Sequence, residues 1–140
     1  MQNQLIDSIN DFLVIHLLPL AELKPHEKCC PTNFEYWLKQ IAHEQYWTHP
    51  LLVHKDTKII MDGHHRHQIA KSLGLKYIPC VLTNYANRYL KVYSYKDSSV
   101  MDNQRIIDAG ESGKLFDKKS TRHQLEIPCM PQIKIPLSLL

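Results

Sequence analysis

The sequence predicts a small mixed α/β (α+β) domain, a compact mixed sheet with flanking helices. Three observations predict it. Apolar runs of strand length alternate with segments of helical period, glycines punctuate the helical segments, and no internal repeat or low-complexity tract interrupts the pattern. One hundred and forty residues is a single-domain length, so residues 1–140 are read as one domain. A chain of that size buries roughly 70% of the surface it exposes when unfolded, enough for one core. With 44% apolar and 22% charged residues, disorder is excluded as a description of the whole chain.

Taken in order, residues 13–18 form an apolar run closed by Pro19, a strand of the fully buried kind. Thr32-Asn33-Phe34-Glu35 reads as a capping box, in which threonine and glutamate satisfy each other's orphan amides. Phe34, Trp37, Leu38 and Ile41 follow at helical spacing, which predicts a helix to about Tyr46 with Trp37 in the core. Trp47 is expected to pack beneath the loop to Pro50. Two short strands, Leu51–His54 and Lys58–Met61, flank the turn Lys55-Asp56-Thr57. A second helix starts after Gly63 and ends near Leu73, where Gly74 suits a left-handed cap. Strands at Tyr77–Leu82 and Leu90–Tyr95 precede a helix over Asn103–Ala109 stopped by Gly110. Residues 111–123 read as a polar, basic loop. The tail from 124 to 140 holds at most one strand, Ile133–Ile135, and an apolar end that must dock. His16, inside an apolar run, is expected to be a hydrogen-bonded interior residue.

Charge and cysteine usage narrow the classes. Seventeen basic against 14 acidic residues give +3 with no long basic block. That suits anionic ligands but argues against a nucleic-acid partner. The stretch Phe12–Leu20 is half the length a bilayer needs and contains His16 and Pro19, so no membrane partner is expected. Asp7 and Asp11 precede it where a signal peptide would carry basic residues. Cys29, Cys30, Cys80 and Cys129 show no metal-type Cys-x-x-Cys spacing, and reduced thiols in a cytoplasmic protein are the expectation. A homodimer is compatible with all of this.

Chemistry concentrates in Asp62-Gly63-His64-His65-Arg66-His67, between the strand Ile59-Ile60-Met61 and the helix that begins there. A helix start presents unpaired amides and the positive end of the dipole, which favour an anion. Gly63 lets the anion approach the backbone, and Arg66 adds a permanently charged fork. Strand, glycine and cationic helix start form the grammar of a phosphate site, without Walker or dinucleotide spacing. The rivals are a metal held by His64 and His67, which would need further ligands, and plain capping without a ligand.

This cluster resembles the Gly-x-x-Arg-x-x-Ala signature of the ParB/sulfiredoxin superfamily, here Gly63-His64-His65-Arg66-His67-Gln68-Ile69-Ala70. Sulfiredoxin itself needs a cysteine where this chain has His64, so sulfinic acid repair is not expected. Within the superfamily the likeness is to the free serine kinases, which phosphorylate L-serine with ADP or ATP. It rests on Leu23-Lys24-Pro25-His26-Glu27, on Asp62-Gly63-His64-His65-Arg66, and on Lys119-Ser120-Thr121-Arg122-His123, and runs from about residue 20 to 123. Where those kinases tend to have Ser-Trp at a strand end, this chain has Ser94-Tyr95.

The resemblance implies a kinase making O-phospho-L-serine, with Mg2+ carried by the nucleotide phosphates. Serine hydroxyl is a poor nucleophile, so a carboxylate must accept its proton and fix it in line. The resemblance puts Glu27 in that role, with Asp62 orienting the amino group or a magnesium-bound water. Gly63, His64, His65 and Arg66 would hold phosphate, as would Lys119, Thr121, Arg122 and His123, the last group on a loop that could close. His26 and Tyr95 would contact the small hydroxy amino acid. The alternative is a ParB-like nucleotide-binding regulatory or DNA-associated module without turnover. ParB proteins follow this domain with a helix-turn-helix region, and no such region is visible here.

Overall fold

A computed structural model of the chain describes residues 11–29, 32–126 and 131–140. The elements run β1 (His16–Pro19), α1 (Phe34–Glu44), β2 (Tyr46–Trp47), β3 (Leu51–His54), β4 (Ile60–Asp62) and α2 (His64–Ser72). They continue as β5 (Tyr77–Thr83), β6 (Leu90–Ser94), α3 (Asn103–Ser112), β7 (Thr121–Leu125) and β8 (Ile135–Pro136). Four strands form one mixed sheet in the order β1-β5-β3-β4, while β2 pairs β8 and β6 pairs β7 in two ribbons. The chain is therefore a single mixed α/β domain with a small sheet and helices packed on it.

β3 is the spine of the sheet. Its four residues are all buried, and it runs parallel to β5 and antiparallel to β4. The two-residue period of a strand sends Leu51 and Val53 to one face, where Leu38, Ile41, Ile69 and Ala70 from α1 and α2 meet them. Leu52 points the other way, toward Phe12, Val81 and Leu90. Burying each such side chain stabilises the fold by roughly 1.5–3 kcal/mol, so β3 is the position least tolerant of change. Trp47 is buried and donates its indole N–H to the His49 carbonyl at 2.7 Å, beneath the loop to Pro50. In the tail, Leu137 packs into the core cluster that contains Trp47.

Several elements differ from the sequence expectation. Among the described residues β1 is an edge strand paired with β5, and Leu13, Val14 and Leu17 are exposed beside it. His16 is exposed as well, not interior. No capping box forms: the N-cap of α1 is Asn33 in the left-handed region (φ 64°), with no side-chain cap bond. Trp37 is half exposed, because Phe34, Leu38 and Ile41 take the core-facing side of α1. α3 runs past Gly110 and stops at Gly113, whose φ of +75° is the left-handed cap. Gly110 is needed for a different reason, since a Cβ there would lie 2.6 Å from the Ile59 side chain. Residues 121–125, expected to be the end of a loop and the start of the tail, form β7 in full register with β6. The short tail strand is shifted to Ile135–Pro136. Cys30, Cys129 and the 127–130 stretch of the tail lie outside the described residues; Cys80 is a buried thiol whose burial pushes its pKa up to about 12.

Candidate active site

The three motifs meet in one cavity of about 750 Å³. The strand β4 and helix α2 form its floor. Between them Gly63 has φ +110°, and a Cβ there would lie 2.7 Å from Leu51 Cγ, so both backbone and packing demand glycine. Gly63 is also the N-cap of α2 and has no side chain to offer the amides of the first turn. Those donors are left for solvent or an anion. Arg66 is braced over this corner: Nη1 donates to the Pro50 carbonyl at 2.9 Å, and Nη2 lies 4.0 Å from the Asp62 carboxylate. Asp62 itself is mostly exposed at the cavity edge.

The segment 24–28 forms the opposite wall. It is extended and stitched on both sides, to β4 through Ile60 N–H to Lys24 C=O (2.8 Å) and to residue 116 through Phe116 N–H to His26 C=O (2.8 Å). Alternation along this segment buries His26 completely and turns Glu27 into the cavity, with its side chain 11% exposed. Glu27 Oε1 accepts from the Thr121 hydroxyl at 2.7 Å, and Oε2 accepts from the Lys119 backbone N–H at 2.9 Å. Burial alone would raise the Glu27 pKa. The His26 ring 3.5 Å away and the hydrogen bond from the Thr121 hydroxyl overcome it and hold the carboxyl down at about 2. The group is a fixed carboxylate at neutral pH.

β7 places the third motif. Thr121 and His123 face inward, while Arg122 lies on the other face with its guanidinium 5.5 Å from the Tyr93 ring centre. His123 sits against Tyr85, whose hydroxyl is 3.1 Å from Nε2, and its Nδ1 has no partner among the described residues. Tyr95, half exposed on the rim, is held to this strand by its backbone N–H to the Ser120 carbonyl at 3.0 Å.

The residues singled out from the sequence line this cavity, except His26 and the buried His67. Glu27, Asp62, Gly63, His64, His65, Arg66, Tyr95, Lys119, Thr121, Arg122 and His123 are brought together from segments far apart in the chain. His26 lies behind the wall, where it cannot touch a molecule in the cavity; its hydrogen bonds go to the Ile60 carbonyl and the Thr121 hydroxyl. Two charge assignments also change. Burial, reinforced by the neighbouring His26, pulls the His64 and His123 pKa values down to about 3, so neither ring is cationic at neutral pH. The helix start is charged through Arg66, and His123 belongs to a paired strand and not to a closing loop. Lys119 reaches Glu27 through its backbone, not its ammonium.

A further part of the lining comes from outside the three motifs. Tyr36, Trp37, Gln40 and Glu44 on α1 also line the cavity, with Tyr36 and Trp37 edge to face at 5.1 Å and both half exposed. The available signal was Tyr36 beside Trp37, since both cannot lie in a one-sided helical stripe.

Fold and cavity together define a ParB/sulfiredoxin-like α/β domain in which a helix start without a side-chain cap and a buried carboxylate line one cavity. No protein-family profile matches the chain. It is 30% identical over 98 residues to a ParB-like protein of Sulfolobus acidocaldarius, a match covering 66% of this chain and 49% of that one. It is 27% identical over 95 residues to the ADP-dependent L-serine kinase of Thermococcus kodakarensis, covering 65% and 39%. The matched stretch thus spans about half or less of each curated relative. Among solved structures it superposes on a free serine kinase in complex with AMP at a TM-score of 0.80 and 16% identity, covering 90% of this chain and 93% of that one. The chain is thus similar in sequence to a ParB-like protein and to L-serine kinases, and shares the fold of a free serine kinase.

Proposed function

We propose that the protein is a free-amino-acid kinase that transfers a phosphoryl group from ADP or ATP to the hydroxyl of L-serine. The observation that carries this reading is Glu27: a carboxylate fixed by Thr121 and Lys119, on the wall of a cavity whose floor is the uncapped start of α2. Relatives named as ADP- and ATP-dependent L-serine kinases supply the substrate class.

In this reading the first-turn amides of α2 and Arg66 bind the transferring phosphate region, and they are preorganised because Gly63 and the Pro50 carbonyl fix them before any ligand arrives. Glu27 accepts the proton of the serine hydroxyl and aims that oxygen at phosphorus. Lys119 adds positive charge on the cavity wall, and Tyr95 closes the rim beside the amino acid. The donor set suits a hard cation that keeps its waters: exposed Asp62 is available for them, and no cluster of three metal-ligating side chains exists among the described residues. Magnesium would neutralise charge on the phosphates it accompanies.

The test is direct. Protein incubated with L-serine, magnesium and either ADP or ATP is expected to yield O-phosphoserine by mass spectrometry. Nucleotide binding by calorimetry with no phosphorylated hydroxy amino acid would instead assign a ParB-like regulatory module.

A further inference from the structure

Three hydrogen bonds run in line from Glu27 into the interior. Glu27 Oε1 meets Thr121 Oγ1 at 2.7 Å, Thr121 Oγ1 meets His26 Nε2 at 2.7 Å, and His26 Nδ1 meets the Ile60 carbonyl at 2.6 Å. The proton inventory of this line is constrained. A carbonyl oxygen only accepts, so Nδ1 carries a proton. Thr121 has one hydroxyl proton and faces two groups, Glu27 and Nε2. With a neutral His26 and a charged Glu27, one of the three contacts lacks a proton. A single additional proton completes all three, either as imidazolium with carboxylate or as imidazole with carboxylic acid. The line is therefore built to take up one proton.

We propose that Glu27, Thr121 and His26 form a proton relay, in which the proton removed from the acceptor hydroxyl enters at Glu27 and comes to rest on His26. The proposal rests on the kinase reading and deepens it. As the acceptor oxygen bonds to phosphorus, the bond from phosphorus to the nucleotide's leaving oxygen breaks and its electron pair stays with the nucleotide. The Thr121 hydroxyl, which donates to Glu27 Oε1 before the acceptor binds, first turns to Nε2; the acceptor's hydroxyl proton then goes to Glu27 Oε1, the proton of Oε1 passes to Thr121 Oγ1, and the original Thr121 proton passes to Nε2. Glu27 ends as a carboxylate, Thr121 as an alcohol and His26 as an imidazolium. The reverse path returns the proton to solvent through Glu27 after the products leave.

Two further observations support this direction. His26 is fully buried, and the hydroxyl of Thr121 is its hydrogen-bonded link to the cavity. The surroundings accept the charge. His64 from α2 (ring centres 4.6 Å apart) and His123 from β7 (5.6 Å) are both neutral, Phe116 packs at 6.4 Å, and Glu27 lies 3.5 Å from Nε2 as counter-ion. Thr121 and His26 act through Glu27, as positioning residues.

The experiment compares wild type, Thr121→Ser and Thr121→Val in single-turnover phosphoserine formation, in mixtures of H2O and D2O. The hydroxyl variant Thr121→Ser should react within about threefold of wild type. Thr121→Val should be slower by about tenfold to a hundredfold, part of the usual range for acid–base catalysis. The curved isotope response of several protons in flight should become linear. If Thr121→Val does not fold, His26→Asn replaces it, keeping a donor for the Ile60 carbonyl and removing the proton acceptor. Wild-type rate and isotope response in the Val or Asn variant overturn the relay. Nitrogen-15 spectra of the histidine rings give a readout independent of turnover. The His26 Nε2 resonance should move in both Thr121→Val and Glu27→Gln and stay in Thr121→Ser; a resonance unmoved by either of the first two overturns proton sharing. Wild type without turnover, but with these shifts present, overturns the kinase reading and leaves the proton-sharing line established.

Discussion

At the scale of single residues, charge at the site comes from fewer groups than the sequence displays. Eight histidines and basic residues crowd the three motifs, yet burial neutralises His64 and His123. The permanent cation at the helix start is Arg66, braced by the Pro50 carbonyl. We therefore predict that Arg66→Ala weakens nucleotide binding by about 1.5–3 kcal/mol, the range for a charge-assisted hydrogen bond. Calorimetry giving an unchanged Kd would remove Arg66 from the phosphate site. Residue types were legible in the sequence; their protonation and reach were not. His26 illustrates the difference, because its place beside Glu27 in the chain suggested substrate contact, whereas strand alternation puts neighbouring side chains on opposite sides of a wall.

Among elements, the most legible was the unit from β3 through the turn to β4, Gly63 and α2. Local signals coincide there: buried apolar strands, a glycine at the crossover and a cationic first turn. Gly63 is required twice over, by its positive φ and by the 2.7 Å approach of Leu51. Gly63→Ala should cost about 1–3 kcal/mol of stability from backbone strain alone, measured as a lower urea midpoint, and should move the helix start away from the cavity. A midpoint equal to wild type would show that the corner relaxes freely. β7 was illegible because its inward residues are Thr121 and His123, so hydrophobic alternation does not mark it. Trp37 was misjudged for the complementary reason: it falls on the helical period but stands at the flank of the stripe, where α1 faces the cavity and not the sheet. Gly110 looked like a stop signal, but packing against Ile59 overrides its weak helix propensity.

For the whole molecule, the buried histidines tie stability to pH. Burial lowers the pKa of His64 and His123 from 6.5 to about 3 and that of His67 to about 4. The unfolded chain takes up protons below pH 6.5 that the native rings refuse, so stability falls as pH drops from 6.5 toward 3–4. Each ring contributes up to about 1.4 kcal/mol per pH unit. Glu27 adds stability above 4.5 that is lost as pH falls toward 2. Urea midpoints should therefore be lower at pH 5 than at pH 7.5; an equal or higher midpoint at pH 5 would contradict the neutral assignment. The same convergence that buries these rings brings segments from residue 27 to residue 123 around one cavity, and the mechanism depends on it.

That convergence has chemical meaning only if Glu27 is the base, so the decisive measurement is turnover in Glu27→Gln. Glutamine keeps the size and one acceptor oxygen but cannot take a proton, so lost packing is a poor alternative explanation. With L-serine, magnesium and the active nucleotide, phosphoserine formation should fall about 100-fold to 10,000-fold while nucleotide Kd stays near wild type, equivalent to roughly 2.7–5.4 kcal/mol of barrier. Full phosphoserine formation by Glu27→Gln would contradict the account, and the base would have to be sought elsewhere, with Asp62 the next carboxylate on the cavity wall.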